Sequence, residues 1–309
     1  MNDGVADIMI YPVYLTLSDT DWKNKIEWFN NNLSNCTLCP RECKANRLKN
    51  EKGYCRTGKN VIVSSAMPHF GEERVLVGRF GSGTVFFSGC NLRCIFCQNY
   101  DISQQLYGKI VTNKELTDIF LYVQSLNCHN LNLVSPTHCI AQIIEALYSA
   151  IKKGFKLPIV YNSGGYDSIE TLKRLDGIID IYMPDMKYSD PSLSFKYSDV
   201  PNYPEINREA SIEMQRQVGD LVIENGIAKH GLLIRHLVLP HSFENSKAVL
   251  DFIKERISVN AYINIMDQYH PCYKADEYKE LSRGLLSYEY DEVLNYAHKL
   301  GFKRIDGLF

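Results

Sequence analysis

The chain has 309 residues, 45% apolar and 23% charged, with a formal charge of −2. That balance supports one sizeable core and lacks the basic excess of a nucleic-acid or anionic-membrane surface. Ten cysteines in a chain this long are too sparse for a secreted disulfide scaffold. Seven of them fall in two tight groups, which points to metal binding in a reducing compartment, so a cytoplasmic location is expected. The opening run Met1 to Asp7 carries no basic region and no long apolar stretch, so no signal peptide is expected there. No apolar run reaches the length of a membrane span.

In chain order, residues 1–35 read as an extension with one amphipathic helix, capped by Thr20 or Asp21, with Trp22, Ile26 and Phe29 on its apolar face. Cys36, Cys39, Cys43 and Cys55 follow within twenty residues, a strong metal signal. The segment is basic through Arg41, Lys44, Arg47, Lys49, Lys52, Arg56 and Lys59. That charge offsets the thiolates or docks an acidic partner such as a flavodoxin or ferredoxin. The spacing is not the paired Cys-x2-Cys knuckle of structural zinc, and three close cysteines plus a distant one can ligate a cubane, so iron–sulfur is favoured over zinc. The predicted division is 1–60 as this extension and 61–309 as the core domain.

From residue 84 short apolar runs alternate with helical patterns. The predicted strands are Thr84–Ser88, Leu131–Ser135, Leu157–Asn162, Ile178–Asp185, Leu232–Pro240 and Tyr262–Gln268, rich in Ile, Leu and Val as parallel strands buried on both faces are. Thr112 with Glu115, and Asp167 with Glu170, read as capping boxes. Ile140, Ile143, Ile144, Leu147 and Ile151 form the stripe of another helix. Asn207–Glu224, Ser246–Arg256 and Tyr290–Leu300 complete the set. Six strand–helix units predict an α/β fold with a curved parallel sheet, too few to close an eight-stranded barrel and so a partial (β/α)6 barrel. In such folds the chemistry sits at the C-terminal strand ends.

Cys90, Cys94 and Cys97 fall just after the first of these strands. Three thiolates cannot close a zinc site, which takes four ligands, but they suit three corners of a 4Fe–4S cubane and leave one iron open. The alternative is three structural or metal-clip cysteines. Cys128, Cys139 and, as one reading, Cys272 are packed core residues.

Other polar residues punctuate the strand ends. The second strand ends in Ser135-Pro-Thr-His138, where Thr137 and His138 offer polar contacts, or His138 caps the next helix. The third ends in Tyr161-Asn-Ser-Gly-Gly-Tyr166, whose glycines permit close backbone approach while Asn162 and Ser163 offer hydrogen bonds. Asp185 and Lys187 end the fourth, facing a pocket or forming a buried ion pair. Arg235 and His236 interrupt an apolar fifth strand, which is costly unless they are paired. Arg235 suits a carboxylate fork, either a ligand's or that of Asp185. Gln268, Tyr269 and His270 should face the mouth after the sixth strand.

The spacing Cys-x3-Cys-x2-Cys resembles the cluster motif of the radical S-adenosylmethionine (SAM) superfamily. Residues 36–43, the run from Gly81 through Cys90 to Ser103, Leu157–Asn162 and Met266–Pro271 together resemble the pyruvate formate-lyase activating-enzyme-like members with an N-terminal cysteine cluster. The resemblance implies a partial barrel, a 4Fe–4S cluster on Cys90, Cys94 and Cys97, and SAM chelating its open iron. It also implies reductive cleavage of SAM to a 5′-deoxyadenosyl radical that abstracts hydrogen from a substrate; the cofactor supplies the chemistry and the protein position and shielding. Its usual Gly-Gly-Glu run is absent, so Thr137 and His138 stand in for the SAM amino contact. Asn162 and Ser163 would meet the ribose, Asp185, Lys187 and Gln268 would line the SAM pocket, Arg235 would take a carboxylate, and His270 would approach SAM. Cys272 would be a hydrogen-atom donor to a substrate radical. The implied activity is hydrogen abstraction from a protein or peptide, with glycyl-radical installation as the first specific case. Radical modification of a small molecule or unrelated peptide is the second reading, and a non-catalytic two-cluster electron carrier the third.

Overall fold

The computed structural model describes residues 11–306; the run Met1 to Asp7 lies outside them. Six parallel strands form the frame: β2 (Ser82–Phe87), β4 (Leu131–Val134), β5 (Ile159–Ser163), β6 (Ile181–Pro184), β8 (Ile227–Leu237) and β9 (Tyr262–Met266), paired in that order. These are the six strands expected from sequence, their ends shifted by at most five residues. Their interiors read as continuous apolar runs because both faces are covered. Each is followed by helix that returns the chain across the outside, among them Ile140–Ile151, Ile169–Leu175, Tyr203–Val218 and Ser287–Leu300. Among the described residues β9 pairs with no strand other than β8, its far edge meeting only a single bridge from Ile263 to Ile305, so the sheet stays open.

Three further strands were not legible in sequence. β1 (Val61–His69) runs antiparallel to β2, with β3 (Lys109–Val111) on its outer edge, and β7 (Val222–Glu224) pairs antiparallel with β8. The helix expected over 207–224 therefore starts earlier, at Tyr203, and stops at Val218. Gly219, at φ +65°, turns the chain out of it into β7. The connection from β1 to β2 folds under the sheet and pushes Leu76, fully buried, against Val160, Met183 and Leu233. This fills the interior beneath the C-terminal rim with apolar side chains.

Two caps differ from expectation. The first helix, Asp19–Asn32, is capped by Ser18, with Asp21 returning the bond as the third residue of the box. The helix Ile169–Leu175 begins after Ser168, and Asp167 turns inward instead. The Thr112–Glu115 box forms as read. Trp22 and Phe29 are buried and Ile26 partly so, within the same apolar cluster as the strands; Trp22 stacks on Tyr148 at 5.6 Å. The extension thus shares the core of the barrel, and β1 starts at residue 61. Cys128 and Cys139 are buried in that core. No helix among the described residues is long and apolar enough to cross a membrane.

Candidate active site

Because the six strands run parallel, their C-terminal ends share one rim, and a cavity of about 220 Å³ opens there. Cys90, Cys94 and Cys97 enter it from the loop after β2. Ser135 enters after β4, Asn162 and Ser163 from β5, Asp185 and Lys187 after β6, Arg235 and Leu237 from β8, Met266 from the end of β9 and Gln268 after it. Register explains the convergence: Val134 lies opposite Asn162, Ser163 opposite Pro184, and Leu237 opposite Met266.

The cysteine loop is pinned from several sides. The N–H groups of Arg93 and Ile95 donate to Ser198 O and Tyr197 O at 3.2 and 2.9 Å, and Lys274 N–H donates to Ile95 O at 2.8 Å. Asn91 Nδ2 holds Tyr166 O at 2.6 Å. Each sulfur has a polar neighbour: Leu92 N–H at 3.4 Å from Cys90 Sγ, which itself points at Asn91 Oδ1 at 3.9 Å, Ser198 Oγ–H at 3.0 Å from Cys94 Sγ, and Ser103 Oγ at 3.2 Å from Cys97 Sγ. Burial, with the neighbouring sulfurs, pushes the Cys90 thiol up to about 12 and the Cys97 thiol to about 11. Burial raises Cys94 as well, against the pull of the Lys187 ammonium. Thiolates here therefore need a cationic centre to stabilise them, which is what a bound metal provides. Among the described residues no three His, Cys, Asp or Glu side chains are arranged to hold a single metal ion. A cubane makes no such demand, since each thiolate takes a different iron. Three thiols in one cavity with a donor at each sulfur fit that group.

The floor of the cavity is charged. Arg235 Nε and Nη2 both reach Asp185 Oδ1 at 2.9 Å, and Lys187 Nζ holds the other carboxylate oxygen. Both alternatives drawn from sequence for Asp185 and Lys187 thus hold together: the pair is buried and it lines the pocket. Burial alone would raise the Asp185 carboxyl, but Arg235 and Lys187 hold it below the usual range. Among the side chains that line the cavity floor, one carboxylate faces two cations. Beneath Arg235 lies Glu73, which sequence reasoning missed. Its Oε1 accepts from Asn264 Nδ2 at 2.9 Å, and its buried Oε2 has no partner. Burial pushes this carboxyl up while Arg235 pulls it down. Nothing local marks Glu73, since it sits in the connection between antiparallel strands.

Other expected residues stand outside the cavity. Thr137 is buried and donates to Asp167 Oδ1 at 2.6 Å, and His138 donates from Nε2 to Ser88 O at 3.0 Å. Both bonds turn these side chains into the protein, and His138 does not cap the following helix, whose N-cap is Cys139. Asp167 also accepts from Tyr161 and Ser163, at 2.9 and 2.6 Å, so it orients the hydroxyl of a cavity residue. His236 is fully buried between Met186 O and Ser246 Oγ. Tyr269 is buried, donating to Leu281 O at 2.6 Å. His270 is exposed at the rim, its Nδ1 3.3 Å from Gln98 Nε2 of the cysteine loop. Cys272 is half-buried and is not among the residues that line the cavity.

Comparison with known proteins sets these observations in context. A family model described as the Radical SAM superfamily matches residues 84–253. An uncharacterized protein of Methanocaldococcus jannaschii is 35% identical over 285 residues, covering 89% of this chain and 78% of that one. Among solved structures, Streptococcus suis SuiB bound to its precursor peptide SuiA aligns with a TM-score of 0.48 and 14% identity, over 70% of this chain and 46% of SuiB. Native anSMEcpe with bound AdoMet aligns with a TM-score of 0.47 and 13% identity, over 69% of this chain and 57% of that one. The chain thus spans about half the length of these solved structures.

Proposed function

The chain belongs to the radical SAM superfamily, and from that premise we propose that it cleaves SAM reductively and abstracts hydrogen from a protein or peptide substrate, glycyl-radical installation being the first case to test. The carrying observation is the meeting of three donor-supported thiols with the polar ends of all six parallel strands around one cavity. Bound together, a 4Fe–4S cluster on Cys90, Cys94 and Cys97 and SAM would supply a one-electron cleavage that generates a hydrogen-abstracting radical.

The residues around that site have separable tasks. Arg235 and Lys187 are the two cations that line the cavity, and they suit a ligand carboxylate. Ser163 donates its hydrogen to Asp167 and accepts from Gly165 N–H, so it has one acceptor lone pair left, the complement of a sugar hydroxyl. Asn162 beside it supplies both a donor and an acceptor. Leu92, Phe96, Leu237 and Met266 give apolar lining that limits water around a reactive species. Gln98, Gln268 and His270 stand at the rim, where a substrate enters.

Two features support this reading over its rivals. A sealed electron carrier has no use for three thiols opening onto a cavity. The unclosed sheet supports a macromolecular substrate, because a loop can approach from the side. The test is anaerobic: reconstitute the full chain with iron and sulfide, reduce with dithionite, add SAM, and measure 5′-deoxyadenosine by mass spectrometry. Wild type should form it and Cys94→Ala should not. Formation in Cys94→Ala, or none in a fully loaded wild type offered candidate peptide substrates, would overturn the proposal.

A further inference from the structure

The four N-terminal cysteines lie against the loop that carries the other three. Cys36, Cys39 and Cys55 are buried and Cys43 is exposed. Backbone bonds from Cys36 N–H to Ala45 O at 3.1 Å and from Lys44 N–H to Cys36 O at 3.0 Å fold segment 36–45 back on itself, and Cys43 Sγ lies against Gly53, two residues before Cys55, so the four cysteines gather at one place.

Arg47 distinguishes that place. It is only 1% exposed. Its Nε donates to Gly58 O at 3.1 Å and its Nη1 to His138 O at 2.6 Å, while its buried Nη2 has no partner. A guanidinium is always ionised, and burying it is costly unless an anion faces it. Carbonyl oxygens do not supply that charge, and the Cys36 sulfur lies beside it. Arg41 Nη2 and Arg56 Nε, on the same segment, are also buried without partners. Four metal-bound thiolates would give these groups the net negative neighbour they lack.

The same segment touches the Cys90 loop directly. Gly89 adopts φ +92°, and a Cβ there would stand 2.7 Å from Cys55 O and 3.1 Å from both His138 Nε2 and Thr57 Oγ1. His138 receives the Arg47 bond on its carbonyl and passes its own ring N–H to Ser88 O. One residue thus joins Arg47 to the chain entering Cys90.

We propose that Cys36, Cys39, Cys43 and Cys55 hold an iron–sulfur cubane with Arg47 as its buried counter-charge, and that electrons bound for the Cys90 loop enter there. One electron leaves an acidic donor protein of the flavodoxin or ferredoxin type, passes through this site and ends at the site of Cys90, Cys94 and Cys97. The donor is oxidised by one electron, and no proton or group is transferred. Exposed Cys43 brings the site to the surface, and the segment's exposed side chains carry Lys44, Lys49, Lys52 and Lys59 against Glu42 and Glu51, an excess of positive charge complementary to such a donor. The relay rests on the reading of the Cys90 site given above; the metal site does not.

The full chain, reconstituted anaerobically, separates the two. Iron, sulfide and zinc are counted in wild type and in the combined Cys90→Ala, Cys94→Ala, Cys97→Ala variant. The variant should keep about half the iron and sulfide and show a cubane signal by electron paramagnetic resonance after dithionite reduction. Zinc in place of iron, or a variant that melts like wild type yet holds no iron, overturns the site. In a redox titration of that signal, Arg47→Gln should move the midpoint negative and Arg47→Lys should restore it; an unmoved midpoint overturns the counter-charge. Reduction of the Cys90-site cluster by a reduced flavodoxin should slow on the order of tenfold in Cys43→Ser, which disrupts one cluster ligand. An unchanged rate overturns the relay while leaving SAM cleavage with dithionite untouched.

Discussion

Asp185, just beyond β6, and Arg235, on β8, face one another across the sheet and close a carboxylate–guanidinium contact of 2.9 Å at the cavity floor. Lys187 shares the same carboxylate, and the three side chains are 11–20% exposed. Asp185→Asn would leave two buried cations facing a neutral amide. Removing one partner of a buried pair costs about 3–5 kcal/mol, against about 1 kcal/mol or less for a surface pair. Thermal unfolding of the two proteins at neutral pH measures the difference, and a loss in the surface range would mean the floor is open to water. The carboxyl is held low, so its contribution is present above the ordinary carboxylate range and is lost as pH falls through its folded value.

Ser198 donates to Cys94 Sγ at 3.0 Å and in turn takes the Tyr188 hydroxyl at 2.7 Å. A hydrogen bond to a ligating sulfur stabilises the more negative, reduced cluster. Ser198→Ala should therefore shift the midpoint of the Cys90-site cluster negative. At about 1 kcal/mol for such a bond and one electron, the shift is on the order of 40 mV. A redox titration of the reconstituted protein decides it; a midpoint that stays or rises would remove Ser198 from any role at the sulfur.

What the sequence revealed and what it hid follow one physical division. The parallel strands were legible because burial on both faces writes a continuous apolar run into each. Arg235 was legible as a paired charge because an ionised group in such a run must find a partner. β3 and β7, three residues each, are too short to show a pattern, and β1 carries Ser64, Ser65 and Pro68 in place of clean alternation. Asp167 was misread because Asp167 and Glu170 match a capping box locally, while three hydroxyls from β5 and the loop after β4 claim the carboxylate in the folded chain. Glu73 was invisible for the same reason: its partner Asn264 lies 191 residues away.

Gly89 and Gly154 make a matched pair for testing how closely the extension seats on the cysteine loop. Both have positive φ, +92° and +91°, but a Cβ at Gly89 meets Cys55 O at 2.7 Å while one at Gly154 meets nothing within 4 Å. Alanine at either site incurs the backbone strain, about 1 kcal/mol. Only at residue 89 must the extension also move. Gly89→Ala should lose clearly more stability than Gly154→Ala and admit protease into segment 36–58. Equal losses with an unchanged cleavage pattern would show that the contact is loose.

His236 gives the fold a defined acid sensitivity. The ring is fully buried, and burial lowers its pKa to about 4, with Lys187 adding to the effect and the bond to Met186 O opposing it. Its Nδ1–H donates to Met186 O at 2.6 Å, so the neutral ring accepts from Ser246 Oγ at 2.8 Å through Nε2. In the unfolded chain the same ring protonates near 6.5. Between about 6.5 and 4 the unfolded state therefore binds the extra proton, and stability falls by about 1.4 kcal/mol for each unit of acidification. His236→Gln keeps a donor for Met186 O and removes the titration. At pH 7.5 the variant should be less stable than wild type through imperfect packing, and the gap should narrow steadily as pH drops toward 4.5. Other buried groups titrate in both proteins, so the difference between them isolates His236. Chemical denaturation across that range measures it, and a gap that holds constant or widens with acid would mean the folded ring takes its proton at an ordinary pH.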